Sequence, residues 1–174
     1  ITCDTSPPYF SLNELELSTY DTSFKLSPPL RNEEDRIAIQ NAIFDDTIDV
    51  ITSDHKPMSN DTKILPFTSA STGASGIETL LPLTLNLLNK SDVSMTNILK
   101  KITLNPSKLF KVEIPKIKSN EKANFIIFDP NEQYLINKDS LQSSPTPFHG
   151  RPVQGKNYMS MMNGEIVFDN LDLL

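Results

Sequence analysis

Apolar positions change their spacing along the chain, and each change marks an element. Residues 1–5 (ITCDT) and 47–52 (TIDVIT) are short β-branched runs bounded by polar residues, which predicts two strands. Between them, residues 31–46 (RNEEDRIAIQNAIFDD) carry Ile39, Ala42 and Ile43 at helical spacing behind an acidic start, which predicts a helix. Residues 75–90 (SGIETLLPLTLNLLNK) are apolar nearly all round and predict a buried helix. Ser75 and Glu78 stand there in capping-box spacing, and Pro82 falls near the first turn, where it is tolerated. A further helix is predicted over residues 94–102. NPSKLF, with Pro106 near its start, predicts a short helical turn.

From Ala123 onward the pattern is that of strands. NFIIFD and YLIN read as two short strands and NYMSMMNGEIVF as a hairpin, with Asn163-Gly164 suited to a type I′ turn. The long segment at residues 6–30, with two Pro-Pro pairs and many Ser and Thr, reads as an irregular loop, and a loop that long is more often functional than idle. The order strand, loop, helix, strand, followed by extra strands, predicts an α/β fold with a β appendage. Two such strands cannot close a barrel, and the chain lacks an initiator Met and opens inside a strand. It is therefore expected to be a piece of something larger.

Composition narrows the function classes. The 174 residues are 37% hydrophobic and 22% charged, as in a soluble globular protein with enough chain for a core. A net charge of −6 without a basic face argues against nucleic acid as a partner. The pair Lys100-Lys101 reads as solvated helix surface. The single cysteine, Cys3, rules out an internal disulfide framework and fits a reducing cytoplasm, so cytoplasmic localisation is expected. No stretch reaches the ~20 apolar residues of a membrane span, and no signal peptide is visible.

Candidate chemistry is sparse. The two histidines, His55 and His149, are far apart, and no HxH, HExxH, CxxC, GxSxG or phosphate-binding glycine loop occurs. One stretch stands out: TIDVITSDHKPM, where a β-branched run ends in Asp54-His55. Strand ends facing loops are where α/β proteins hold their catalytic groups. Asp54 is thus a working carboxylate or a turn-former, and the residues alone favour the turn.

Several segments, in order, resemble the C-terminal half of dihydroorotase, a cyclic amidohydrolase of pyrimidine synthesis. ITCDTSPPYFSL resembles the family's VTCEVTPHHLLL, KLSPPLRNEEDR its K-x-NPPLR-x-x-x-DR, and DDTIDVITSDHKPM its DGTID-x-IATDHAPH. STGASGIETLLPL resembles the GI-x-GLET helix start, NPSKLF the NPA-(K/R)-x-(F/L) turn, and ANFIIFDP and PFHGRPVQGK the closing β segments. The resemblance implies the last two strands and helices of a metal-dependent (β/α)8 hydrolase barrel over residues 1–120. Residues 121–174 would then be strands of a small composite β-sandwich. It also implies that Asp54 binds one zinc and shuttles the proton between attacking water and leaving nitrogen, with His55 as support. One or two Zn2+ ions are expected, with the remaining ligands upstream of Ile1.

Departures from the family pattern fall on the substrate side. Ser27 replaces the usual Asn that bonds the substrate, and Met58 replaces a His that helps hold the substrate carboxylate. A thioether offers no strong hydrogen bond or charge. Pro8 and Tyr9 replace a His-His pair. Thr72 and Gly73 lie where the family touches substrate through backbone groups. The implied reaction interconverts N-carbamoyl-L-aspartate and dihydroorotate. The departures keep two alternatives open: a non-catalytic relative that scaffolds aspartate carbamoyltransferase, and a hydrolase of another cyclic amide such as allantoin or a hydantoin. An oligomer is compatible with either. The 174 residues alone are expected to be inactive, with exposed strand edges that invite association.

Overall fold

Parallel pairing near the N-terminus and an antiparallel sheet near the C-terminus organise the chain, whose computed structural model describes residues 1–137 and 145–171. Strand β1 (Asp4–Thr5) pairs in parallel with β2 (Val50–Ile51), Asp4 opposite Val50 and Thr5 opposite Ile51. Both are shorter than the β-branched runs suggest. Backbone bonding nonetheless continues past them, from the Asp49 N–H on the Cys3 carbonyl (3.1 Å) to the Thr52 N–H on the Thr5 carbonyl (2.8 Å).

The segment after β1 is not an irregular loop. Pro7 and Pro8 start a short helix α1 (Pro7–Ser11), where their missing N–H groups cost nothing. Two 3-10 helices follow, Glu14–Thr19 and Thr22–Phe24, begun by the side chains of Asn13 and Asp21. Helix α2 (Glu33–Phe44) forms as its periodicity predicts. Asn32 caps it by accepting from the Asp35 N–H at 2.8 Å, and Glu33, Glu34 and Asp35 complement its dipole.

After β2 come α3 (Asn60–Lys63), α4 (Leu80–Leu85) with a 3-10 extension over Asn86–Lys90, α5 (Met95–Lys100) and α6 (Leu104–Phe110). Ser94 caps α5, accepting from the Asn97 N–H. The buried face of α4 carries Leu83, Leu85 and, in the extension, Leu87. Lys100 is exposed, but Lys101 is buried. Its Nζ donates to the Asp46 carboxylate at 2.7 Å and to the Ile48 carbonyl at 2.6 Å. Reading both lysines as surface was wrong for Lys101, whose ammonium satisfies a carbonyl that the core would otherwise strand.

The C-terminal sheet has the order β3 (Phe125–Leu135), β4 (Pro152–Met162), β5 (Glu165–Asp169), all antiparallel. NFIIFD and the start of YLIN belong to one strand, not two. Register shifts around Asp129–Gln133 carry Pro130 through it as a bulge. Asn163 (φ 54°) and Gly164 (φ 89°) make the tight β4–β5 turn as predicted. Of the Ser/Pro-rich stretch at residues 143–147, residues 143 and 144 lie outside the described residues.

Two cores hold these parts together. Phe10, Ile43, Ile48, Ile51, Leu87 and Ile98 pack around β2. Leu12, Leu26, Leu30, Ala74, Leu83, Phe148 and Val153 join the helices to the C-terminal sheet. Asn89 also bonds Gln154 across that junction at 2.9 Å.

Candidate active site

The parallel strands deliver two carboxylates to one end of the pair. Asp4 lies in β1, and Asp54 follows β2 after Thr52 and Ser53. The Thr52 hydroxyl donates to Asp4 Oδ2 at 3.2 Å. Asp54 adopts a left-handed backbone (φ 44°), which Asp tolerates better than most side chains. Among the described residues its carboxylate makes no backbone hydrogen bond of the kind that would cap a turn. It is also exposed, and no described group hydrogen-bonds its carboxylate. Burial of its surroundings raises its pKa above the ordinary carboxylate range; Lys56 opposes that shift and Asp4 adds to it.

Tyr9, from α1, lies within the electrostatic reach of the same carboxylate. Its pKa is pushed up to about 12, first by burial and then by the negative charge of Asp54. The phenol is thus held protonated, and it donates to the Pro28 carbonyl at 2.9 Å. This contact brings Ser27, exposed and joined to Pro28 by a cis peptide, close to Tyr9.

Residues 74–77 are tied to the segment that follows β2. His55 Nδ1 accepts from the N–H groups of Gly76 and Ile77, both at 3.3 Å, so Nε2 carries the ring hydrogen. His55 thereby fixes the turn at Gly76 and Ile77. The capping box expected at Ser75 and Glu78 takes a different form. The Ser75 hydroxyl donates to Glu78 Oε2 at 3.1 Å, α4 begins only at Leu80, and the imidazole serves the early N–H groups. Gly76 permits the close approach, since a Cβ there would stand 2.2 Å from the Ser53 carbonyl oxygen. Gly73 has φ 125°, a conformation that side chains other than glycine's rarely adopt, and a Cβ would lie 2.8 Å from the Lys56 carbonyl. The Lys56 N–H in turn donates to Ala74 at 3.0 Å.

Tyr9 bonds the turn that carries Ser27, and His55 and Lys56 bond residues 74–77, which follow Thr72 and Gly73 in the chain. Met58 is half-buried on the loop between Lys56 and α3. The sequence marks Tyr9 as a departure from the dihydroorotase pattern that resembles hydantoinase- and allantoinase-like sequences, whereas Asp4 becomes visible only from the β1–β2 register, which needs the pairing partner. A cavity of about 240 Å³ is lined in part by Phe10, Leu83, Leu87 and Phe148, and Asp54 is not among its lining residues.

Asp54 suits a cation, being an anionic oxygen donor with no competing hydrogen bond. Among the described residues no three His, Cys, Asp or Glu side chains converge on a metal position, so an ion held there would draw its other ligands from elsewhere. No helix among the described residues is long and apolar enough to cross a membrane.

Comparison with known proteins places this geometry. The amidohydrolase family profile matches residues 18–167. A dihydroorotase of Clostridium acetobutylicum is 38% identical over 98% of this chain. The match covers 41% of that protein, so the chain spans about two fifths of the length of such curated relatives. Among solved structures, the L-hydantoinase (dihydropyrimidinase) of Arthrobacter aurescens superposes with a TM-score of 0.88 at 26% identity, covering 99% of this chain and 40% of that one. The inactive dihydroorotase-like domain of the Chaetomium thermophilum CAD-like multifunctional protein shares the fold, with a TM-score of 0.68 at 15% identity over 97% of this chain and 44% of that one.

Proposed function

The chain belongs to the amidohydrolase family, and on that premise we propose that it contributes the Asp54 side of a dihydroorotase-type active site, which interconverts N-carbamoyl-L-aspartate and dihydroorotate. The observation that carries this reading is the Asp54 carboxylate, presented at a strand end with no hydrogen bond of its own and with His55 anchored behind it.

In ring opening, a water oxygen forms a bond to the ring carbonyl carbon while Asp54 accepts the water's proton. When the ring C–N bond breaks, Asp54 returns that proton to the departing nitrogen. Zinc, when bound with Asp54 as one ligand, supplies the Lewis acidity that brings water's pKa towards neutrality. Ser27, the backbone of Thr72 and Gly73, and Met58 line the substrate side. Tyr9 stays protonated within reach of the Asp54 charge and bonds the Ser27–Pro28 turn, keeping that turn in place.

Ser27 and Met58 weaken the polar grip on substrate relative to the family pattern. They favour a second reading, a non-catalytic subunit supporting aspartate carbamoyltransferase. The test is dihydroorotate ring opening by the protein that contains this chain, stripped of metal and then given zinc, beside hydantoin and allantoin. Zinc-dependent turnover of dihydroorotate that is lost in Asp54→Ala supports the enzyme reading. Preferential turnover of hydantoin or allantoin moves the substrate to that cyclic amide. Folded protein without turnover in any condition makes the scaffold the better account.

A further inference from the structure

Two lysines tie the loop that follows β2 to the one that follows β1. Lys25 Nζ donates to the carbonyls of Thr68 at 2.9 Å and Ala70 at 2.7 Å, while the Lys25 carbonyl accepts from the Gly73 N–H at 3.0 Å. Lys63, 5% exposed, donates to the Thr22 carbonyl at 2.7 Å, and the Thr22 hydroxyl donates back to the Lys63 carbonyl. These ties join positions 41 to 48 residues apart in sequence.

The chemistry of Lys25 is specific. An ammonium presents three donors from one point, so two carbonyls of a single turn can converge on it. The Phe67 ring lies 5.6 Å from Nζ, and Tyr20 meets that ring edge-on at 5.8 Å. Among the described residues Lys25 makes no ion pair, so its charge is directed at loop carbonyls and an aromatic face.

Position gives this arrangement its consequence. Ser27 is two residues beyond Lys25, and Gly73, held on the Lys25 carbonyl, directly follows Thr72. We infer that Lys25 is a positioning residue, holding the Thr72–Gly73 segment at a set distance from Ser27 across the mouth of the site. This rests on the reading of those three residues as substrate-facing. A site whose walls come from two loops requires such a support, because displacement of about 1 Å already impairs reactivity.

The test uses the full protein, with Lys25→Met, Lys25→Arg and, as a control in the C-terminal sheet, Lys156→Met. Hydrogen exchange is read first. In Lys25→Met the segment 66–76 is expected to exchange at least about tenfold faster, since both charge-assisted hydrogen bonds of Lys25 Nζ are lost. Lys25→Arg restores most of the protection, and Lys156→Met leaves the segment unchanged. With dihydroorotate, Lys25→Met raises KM about tenfold and changes kcat much less, as loss of uniform binding does. Unaltered exchange over 66–76 in folded Lys25→Met overturns the inference, as does faster exchange with unaltered KM. Should Lys25→Met not fold, Lys25→Gln is compared with Lys25→Arg by the same readouts, and equal protection in the two overturns it. Absence of turnover in the unsubstituted protein removes the proposed function, and exchange alone then decides whether Lys25 holds the loop.

Discussion

Two carboxylates, one in each half of the molecule, show opposite uses of the same group. Glu132 in the C-terminal sheet is held by Lys156 at 2.6 Å and by the Tyr158 hydroxyl, and these hydrogen bonds keep its pKa below the usual carboxylate range. Asp54, at the end of β2, has no such partner, and burial around it moves its pKa the other way. The sheet pairs long strands, with register shifts, and sets a lysine and a tyrosine on its carboxylate. The strand-and-loop half leaves a carboxylate unsatisfied and spends its hydrogen bonds on fixing the loops around it. A satisfied carboxylate belongs to the scaffold, whereas an unsatisfied one on a fixed rim is available for chemistry.

The sharpest way to break that comparison is at Asp54. In the protein that contains this chain, Asp54→Asn is expected to lower turnover about 10³-fold, within the range for a lost general acid/base. Its thermal midpoint should hardly move, because no described hydrogen bond is lost. A matching loss of stability would show that Asp54 is structural.

Ile43, fully buried behind β2, carries the converse expectation. Ile43→Ala should destabilise by about 2–5 kcal/mol through lost burial and the cavity left behind. Denaturant unfolding checks this, and a cost below about 1 kcal/mol would mean that this core is not what holds β2.

A pH effect on stability of order 2–3 kcal/mol is expected from Lys63. Burial pushes its pKa down to about 8; Asp21 opposes the shift and Lys25 assists it. Below pH 8 the lysine is charged in both folded and unfolded chains, and the folded state bears the full burial penalty. Between about 8 and the ordinary value of 10.5 the unfolded chain holds more protons, so stability rises with pH. Urea titrations between pH 7 and 10.5 should show this rise, and Lys63→Met should remove it.

The smallest effect on stability is expected in the sheet. Phe168 on β5 is 46% exposed, and Ile126, Ile127 and Val167 are exposed as well. Phe168→Ser should change stability by less than about 1 kcal/mol while reducing self-association of the 174-residue chain, read by light scattering. Unchanged association would locate the sticky surface elsewhere.

Local chemistry in the sequence by itself determined a good deal of this protein. Asn32 and the acids after it begin α2, Asn163-Gly164 turns β4 into β5, and the β-branched run before Asp54 becomes β2. Each depends on φ/ψ preference, capping or periodicity within a few residues. Only the tertiary structure decided that Lys101 is buried while Lys100 is not, since that needed Asp46 and the Ile48 carbonyl to arrive from more than fifty residues away. It likewise decided that His55 caps the turn at Gly76 and Ile77, that the Tyr9 hydroxyl meets the Pro28 carbonyl, and that Lys25 holds the turn at Thr68 and Ala70. A side chain bonding a distant carbonyl leaves no periodic trace. Its partner is a backbone atom that every residue possesses, and only the folded path of the chain selects which one it meets.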